Sequence, residues 1–203
     1  MRKILLPIAL ACMIWSACGK SDAPDLGTEI PVFSVQTDPD TIASLTAGVN
    51  GIYLFTRVVR DADSVLVMSG TFANVNCPTG NCPGSVRFEF RNSSQGNFAD
   101  PVELFHEGVF WPLKGSNTNP PATSTVAIQW VRSDGIILRS DAIDQDSTQS
   151  GIFNILNAEP WEQNERGELT RKMGVSFSCT LSDSTHQNES KFSGNGVIAV
   201  AYR

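Results

Sequence analysis

The stretch Val86-Arg-Phe-Glu-Phe-Arg91 decides the fold class of this chain. Its apolar residues occupy every second position and alternate with charged ones. Successive side chains of a β-strand point to opposite faces of a sheet, so the stretch predicts a strand with one buried and one solvent-exposed face. Residues 175–182 alternate in the same way and place Cys179 on the buried face, where a free thiol behaves as a small hydrophobic group.

Further strand-like segments recur along the chain at short spacing. Residues 49–60 are apolar on both faces in the middle, which predicts a central strand, and a turn at 61–63 leads into a second strand at 64–75. Residues 194–203 form the last predicted strand. Eight to ten strands joined by Gly, Pro, Asn and Asp turns predict an all-β fold, an antiparallel β-sandwich with either immunoglobulin-like or jelly-roll topology.

Two local patterns predict finer details. Residues 41–47 are compatible with one short helical turn. Asp134-Gly135 is the strongest signal in the chain for a two-residue hairpin turn. Such a turn would place Trp130 opposite Arg139, and the guanidinium would then stack on the indole.

The N-terminal segment has the three-part layout of an export signal. Two basic residues and the apolar run 4–14 precede the small pair Ser16-Ala17, and Cys18 follows directly. The apolar run is shorter than the roughly 20 residues that cross a bilayer as a helix. A cysteine after two small residues, followed by a polar segment, resembles the lipobox of bacterial lipoproteins.

This resemblance, which covers only about the first tenth of the chain, implies that residues 1–17 are a signal peptide and that Cys18 carries lipid. Acyl chains contribute about 0.8 kcal/mol per buried CH₂, so two or three would hold the protein permanently on a membrane. The expected location is the cell envelope, at the outer membrane rather than the inner one. Secretion with an unmodified Cys18 is the alternative.

The remaining chain divides into a tether and a domain. Residues 18–31 are rich in Gly, Pro, Asp and Ser and predict a flexible tether. Residues 32–203 carry the strand pattern and form the predicted β-sandwich domain. No internal repeat separates two halves, so one domain is expected.

The charge of the chain argues against a nucleic-acid partner. The net charge is −6 over 203 residues, and removal of Arg2 and Lys3 with the signal lowers it to about −8. Affinity for nucleic acid depends on Lys and Arg side chains that neutralise phosphates, and the sequence contains no basic cluster.

Cysteine spacing predicts a local disulfide. Cys77-Pro-Thr-Gly-Asn-Cys82 places turn-forming residues between two thiols, and an oxidising compartment favours their pairing. A loop of this length contributes about 2 kcal/mol in the chain-entropy estimate. Zinc would need two further ligands, and the two histidines, His106 and His186, lie far away without ligand-like spacing.

The sequence contains no catalytic motif, and we expect a non-enzymatic protein. The sequence contains no nucleophile elbow of the form Gly-x-Ser-x-Gly, and both histidines lie in predicted surface loops. A hydrolase that uses two carboxylates distant in sequence is the least favoured hypothesis.

Three carboxylates lie close together in sequence: Asp141, Asp144 and Asp146. Calcium takes six to eight oxygen ligands from such loops, so a structural calcium is one interpretation. The spacing lacks the Gly and distal Glu of the helix-loop-helix motif, and a solvated acidic turn is the favoured one. No other cofactor is expected.

Two tryptophans, Trp111 and Trp161, lie in or beside polar loops and could form platforms on which a sugar ring stacks. Large aromatic residues in a β domain more often belong to the core. The leading hypothesis is therefore a lipid-anchored envelope protein that binds a protein partner, as an accessory subunit or an adhesin. A glycan-binding module that uses the two tryptophans is the alternative.

Overall fold

The computed structural model describes residues 30–37, 41–60, 65–77, 79–93, 104–108, 113, 124–142 and 152–203. This part of the chain contains ten strands and a short 3-10 helix, Ser140–Ala142. The strands are β1 (Val32–Thr37), β2 (Thr41–Thr46), β3 (Ile52–Arg60), β4 (Leu66–Asn74), β5 (Val86–Asn92), β6 (Ser124–Val131), β7 (Ile137–Arg139), β8 (Ile152–Pro160), β9 (Thr170–Ser182) and β10 (Glu189–Ala201).

All ten strands belong to one sheet. Its order is β2-β1-β10-β9-β7-β6-β5-β4-β3, and β8 pairs with β9 beside this path. Every pair of strands is antiparallel. The prediction of an all-β antiparallel fold is therefore confirmed. The prediction of a central strand at 49–60 is wrong, because β3 lies at the end of this order, where the sheet curls so that β3 and β4 pack against β10.

The core is built from the inward faces of the strands and is rich in phenylalanine. Phe88 lies 5.5 Å from Phe177, and Phe90 lies 5.4 Å from Phe153, measured between ring centroids. Both contacts are edge-on, an arrangement that aromatic rings favour. Phe88 and Phe90 are fully buried, as the alternation in their strand predicts.

Cys179 belongs to this core, which confirms its prediction. Its side chain is buried, and its thiol donates a hydrogen bond to the carbonyl oxygen of Phe192. Burial disfavours the thiolate and raises the pKa of Cys179 to about 12. The thiol is therefore structural and unreactive at neutral pH.

Gly70 allows β4 and β10 to approach each other closely. A Cβ atom built at this position would lie 2.0 Å from the carbonyl oxygen of Ala199. The obstacle is backbone, which has little freedom to move inside a hydrogen-bonded strand. The curled packing of the sheet therefore requires a residue without a side chain here.

The predicted helical turn at 41–47 is wrong, because this segment contains β2. Its residues pair with β1 from Thr41 opposite Thr37 to Thr46 opposite Val32. A continuous ladder of backbone hydrogen bonds outweighs a weak local preference for a helical turn.

The loop between β6 and β7 is one residue longer than predicted. The backbone N–H of Arg132 donates to the carbonyl oxygen of Ile136 at 2.9 Å, so three residues, 133–135, form the loop. Gly135 takes a left-handed conformation with φ of +87°, as the last residue of a three-residue hairpin loop commonly does.

The extra loop residue moves the pairing of the two strands by one position. Trp130 lies opposite Leu138, and Gln129 lies opposite Arg139. The predicted stacking of Arg139 on Trp130 is therefore wrong. The indole instead stacks on Phe192 at 5.5 Å, on the core side of the sheet.

Candidate functional site

A cleft of about 600 Å³ lies on the outer face of β3, β4 and β5. Its volume falls within the roughly 300–1,000 Å³ of small-ligand sites. The lining combines aromatic rings, guanidinium groups and hydroxyl groups. The side chains that matter for its chemistry are Tyr53, Phe55, Arg57, Thr71, Arg87 and Arg166.

Strand register brings the floor of the cleft together. Phe55 of β3 lies opposite Thr71 of β4, and Thr71 lies opposite Arg87 of β5. Two residues further along the strands, Arg57 lies opposite Ser69. Because side chains alternate across a strand, these residues share the outer face, while their sequence neighbours point into the core.

Arg87 is held in place on this floor. Its Nε donates to the hydroxyl oxygen of Thr71 at 3.3 Å, and its Nη2 donates to the carbonyl oxygen of Thr79 at 2.7 Å. Burial lowers the pKa of Arg87 below its usual value; Glu89 opposes this shift, and the neighbouring charges of Arg139 and Arg57 add to it. A bound anion would offset both the burial and the repulsion.

The disulfide loop forms one wall of the cleft. Cys77 and Cys82 are joined with their Cα atoms 6.1 Å apart, as the sequence predicts. A Cβ atom at Gly80, between them, would lie 2.6 Å from a methyl carbon of Thr71 and 3.3 Å from Arg87. The loop therefore packs directly on the floor and presents the carbonyl group that Arg87 binds.

A second loop, between β8 and β9, brings Arg166 to the cleft. Asn164 anchors this loop, because its Nδ2 donates to the carbonyl oxygen of Thr56 at 3.1 Å and to the Glu168 carboxylate at 2.6 Å. Its Oδ1 accepts the backbone N–H groups of Arg166 and Glu168 at 3.0 Å. One asparagine thus shapes the loop and ties it to β3.

The charges that line the cleft are unbalanced. Among the described residues that line it, three arginines face a single carboxylate, that of Glu165. Glu89 lies nearby, but its Oε1 forms an ion pair with Arg91 at 2.8 Å. Within the described residues, neither Arg57 nor Arg166 forms an ion pair, and both are exposed. The acidic chain thus carries a locally cationic cleft.

Neither of the two candidate platform residues is among the described residues that line the cleft. Trp161 is half-buried and packs against the hydrophobic core, and its backbone N–H donates to the carbonyl oxygen of Thr170 at 3.0 Å. Trp111 lies outside the described residues, and so does the proposed lipid site, Cys18.

Asp141, the first of the three clustered aspartates, pairs with an arginine. Its two carboxylate oxygens accept hydrogen bonds from Arg139 at 2.7 and 3.0 Å. The hydrogen bond to Asp141 is the main cause of the raised pKa of Arg139. Asp144 and Asp146 lie outside the described residues. In the described ranges, no group of three His, Cys, Asp or Glu side chains could hold a metal ion.

Both histidines lie at the surface, as predicted. His106 and His186 are exposed, and the imidazole Nδ1 of His106 lies 2.8 Å from the carbonyl oxygen of Glu107. Within the described residues, no helix is long and apolar enough to cross a membrane.

Sequence reasoning missed most of the cleft. The predicted solvent-exposed face of residues 86–91 contains Arg87, which was one available signal for the cleft. The polar positions Ser69 and Thr71 in the predicted strand 64–75 were a second one. Nothing in the sequence indicates that Asn164 reaches Thr56, because the two residues are 108 positions apart.

Comparison with known protein families, curated proteins and solved structures found no match to this chain.

Proposed function

We propose that this chain is a lipid-anchored, non-enzymatic protein of the cell envelope whose β3–β5 cleft binds an anionic group of a partner. The observation that supports the proposal is the imbalance of charge in the cleft, where three arginines face one carboxylate beside two aromatic rings. Arginine binds carboxylate and phosphate groups through two parallel hydrogen bonds, and an anion would supply the missing counter-charge.

The cleft is partly preorganised for such a ligand. Arg87 is fixed by Thr71 and Thr79, so less side-chain entropy is lost on binding than with a free arginine. Tyr53 and Phe55 contact each other edge-on at 4.8 Å, and Tyr53 offers an exposed ring next to the arginines. A ligand with an apolar part beside its anionic group would use both features.

The cellular address is part of the proposal. The lipobox-like Cys18 supports attachment to the cell envelope, and the Cys77–Cys82 disulfide fits an oxidising compartment. The outer membrane is the proposed place of attachment. The expected partner is an acidic surface of an envelope protein. A glycan that carries carboxylates is the alternative, since the same arginines would bind it.

The contact of β4 with β10 at Gly70 supports a β-sandwich as the finer description of the fold.

The test is affinity purification of the tagged, lipidated full-length protein from detergent-solubilised native membranes, followed by mass spectrometry. Arg57→Gln removes one exposed positive charge from the cleft. Lys191→Gln removes one from the exposed part of β10 and serves as the matched control. We expect a stoichiometric partner with the wild type and the control, and a loss of about tenfold or more with Arg57→Gln.

Equal recovery of the partner with both variants would contradict the cleft as its binding site. A retained partner in Cys18→Ser, which lacks the lipid site, would contradict the role of the anchor. Treatment of the complex with a glycosidase or a protease identifies whether glycan or protein supplies the anionic group.

A further inference from the structure

Exposed hydrophobic side chains are concentrated at one place on the described surface. Five large ones are exposed in the described ranges, and four of these lie close together. We call this group the apolar rim: Ile30 (59 % exposed), Val49 (47 %), Tyr53 (37 %) and Val75 (56 %). The fifth, Ile137, lies on β7.

Backbone hydrogen bonds place the four residues of the rim around one turn of the chain, residues 47–52. The backbone N–H of Val75 donates to the carbonyl oxygen of Gly51, two residues before Tyr53. The backbone N–H of Ile52 donates to the carbonyl oxygen of Val49. The N–H of Ala47 donates to the carbonyl oxygen of Pro31, which places Ile30 beside the same turn. Contiguous exposed apolar groups on a protein surface mark sites of interaction.

The rim lies where the chain enters the domain. Ile30 follows Cys18 by twelve residues, which span at most about 40 Å when extended. A lipid on Cys18 would therefore keep the domain near the bilayer, and the rim lies at the end of the domain to which the tether attaches.

The rim also borders the cationic cleft, because Tyr53 and Val75 line both. Apolar side chains next to arginines are the combination that holds proteins at the surface of an anionic bilayer. Tyrosine itself favours the boundary between lipid and water, where the ring is in an apolar environment and the hydroxyl in a polar one.

We propose that the apolar rim rests in the surface of the membrane that holds the lipid anchor, with Arg57, Arg87 and Arg166 facing the phosphates of anionic lipids. This inference rests on the proposed anchor and on the proposed anion-binding cleft, but it assigns the anionic group to a phospholipid headgroup instead of the acidic protein surface named above. The cleft would then open at the membrane surface, and the domain would have a single orientation on it.

The test uses the lipidated full-length protein in vesicles, with a nitroxide on Val49→Cys in the rim. Ser184→Cys is the matched control. Ser184 is exposed in the turn between β9 and β10, far from the rim. The strand β10 begins after this turn at Glu189 and runs about 26 Å to Val197, which pairs with Val32 near the rim. Labelling is selective because Cys77 and Cys82 form a disulfide and Cys179 is buried.

Collision of each label with oxygen, which dissolves in lipid, is compared with collision with a water-soluble nickel chelate. In vesicles of phosphatidylcholine with added phosphatidylglycerol, we expect the Val49 label to favour oxygen and the Ser184 label to favour nickel. Adding Arg57→Gln and Arg166→Gln should lower the ratio of docked to undocked protein by about tenfold or more.

A Val49 label that is as accessible to nickel as the Ser184 label would overturn the inference. Equal insertion into vesicles of phosphatidylcholine alone would overturn the assignment of headgroup phosphates to the cleft. The proposed function fails separately. If Val49 stays in water while Arg57→Gln still loses a protein or glycan partner, the cleft binds that partner and only the membrane contact is wrong.

Discussion

The two faces of β4 and β5 differ by a single step along the chain, yet they serve different purposes. On the inner face, Phe72, Phe88 and Phe90 have no exposed surface and pack into the core. On the outer face, Ser69 and Arg87 line the cationic cleft. The same two strands therefore contribute fully buried core residues on one side and candidate binding chemistry on the other. Substitutions that separate stability from binding should follow this alternation.

The largest expected effect breaks the inner face. Phe88→Ala should lower the free energy of unfolding by about 3–5 kcal/mol, because a buried ring is replaced by a cavity. Arg87→Ala, one residue earlier, should cost about 1 kcal/mol or less, since its hydrogen bonds lie at a half-exposed site. Urea denaturation measures both. Similar losses in the two variants would contradict the division between the faces.

A smaller effect is expected where the inner face meets β10. Gly70→Ala should lower the free energy of unfolding by about 1–3 kcal/mol, because the new methyl group meets the Ala199 carbonyl. Ser69→Ala on the outer face is the control and should change it by no more than about 0.5 kcal/mol. If Gly70→Ala is as stable as the control, β4 and β10 do not approach as closely as the structure indicates.

The outer face has its own stabilising element, the disulfide loop. Replacing Cys77 and Cys82 by Ser should lower the free energy of unfolding by about 2 kcal/mol, the chain-entropy value for so short a loop. The same change should weaken partner binding, because the loop carries the Thr79 carbonyl group that holds Arg87. A variant that loses stability but binds normally would show that the loop does not organise the cleft.

The smallest expected effect is a pH dependence that comes from the core. The thiol of Cys179 has a pKa of about 12 in the folded protein and ionises near its usual value of 9.0 when unfolded. Its contribution is fully present below pH 9 and is lost as the pH rises towards 12. From pH 9 to 10, the wild type should lose about 1 kcal/mol more unfolding free energy than Cys179→Val. Parallel pH profiles in denaturant titrations would contradict a buried thiol.

Local patterns predicted those parts of the molecule that depend on neighbours in the chain. The alternation in 86–91 and 175–182 predicted which apolar residues are buried, including Cys179, and the spacing of Cys77 and Cys82 predicted their disulfide. The hairpin at Asp134-Gly135 was recognised, but its loop length was not. An Asp-Gly pair fits both two-residue and three-residue loops, and only the pairing of β6 with β7 selects one.

The candidate cleft depended on contacts that no local pattern contains. Arg57, Arg87 and Arg166 come from three separate segments, and none of them stands in a recognisable motif. Trp161 packs against the core, which is the interpretation that the sequence favoured over a sugar platform. Whether an aromatic ring is exposed depends on what the rest of the chain places over it, and composition does not report this.

The sequence by itself determined most of the strands, the buried face of the clearly alternating ones and the local disulfide, because these follow from backbone geometry and spacing within about ten residues. Only the tertiary structure decided that Gly70 meets Ala199, that Asn164 binds Thr56, and that three arginines converge with one carboxylate among the described lining residues. Such contacts join residues far apart in sequence, and they form only when the sheet has curled and brought its distant strands and loops together.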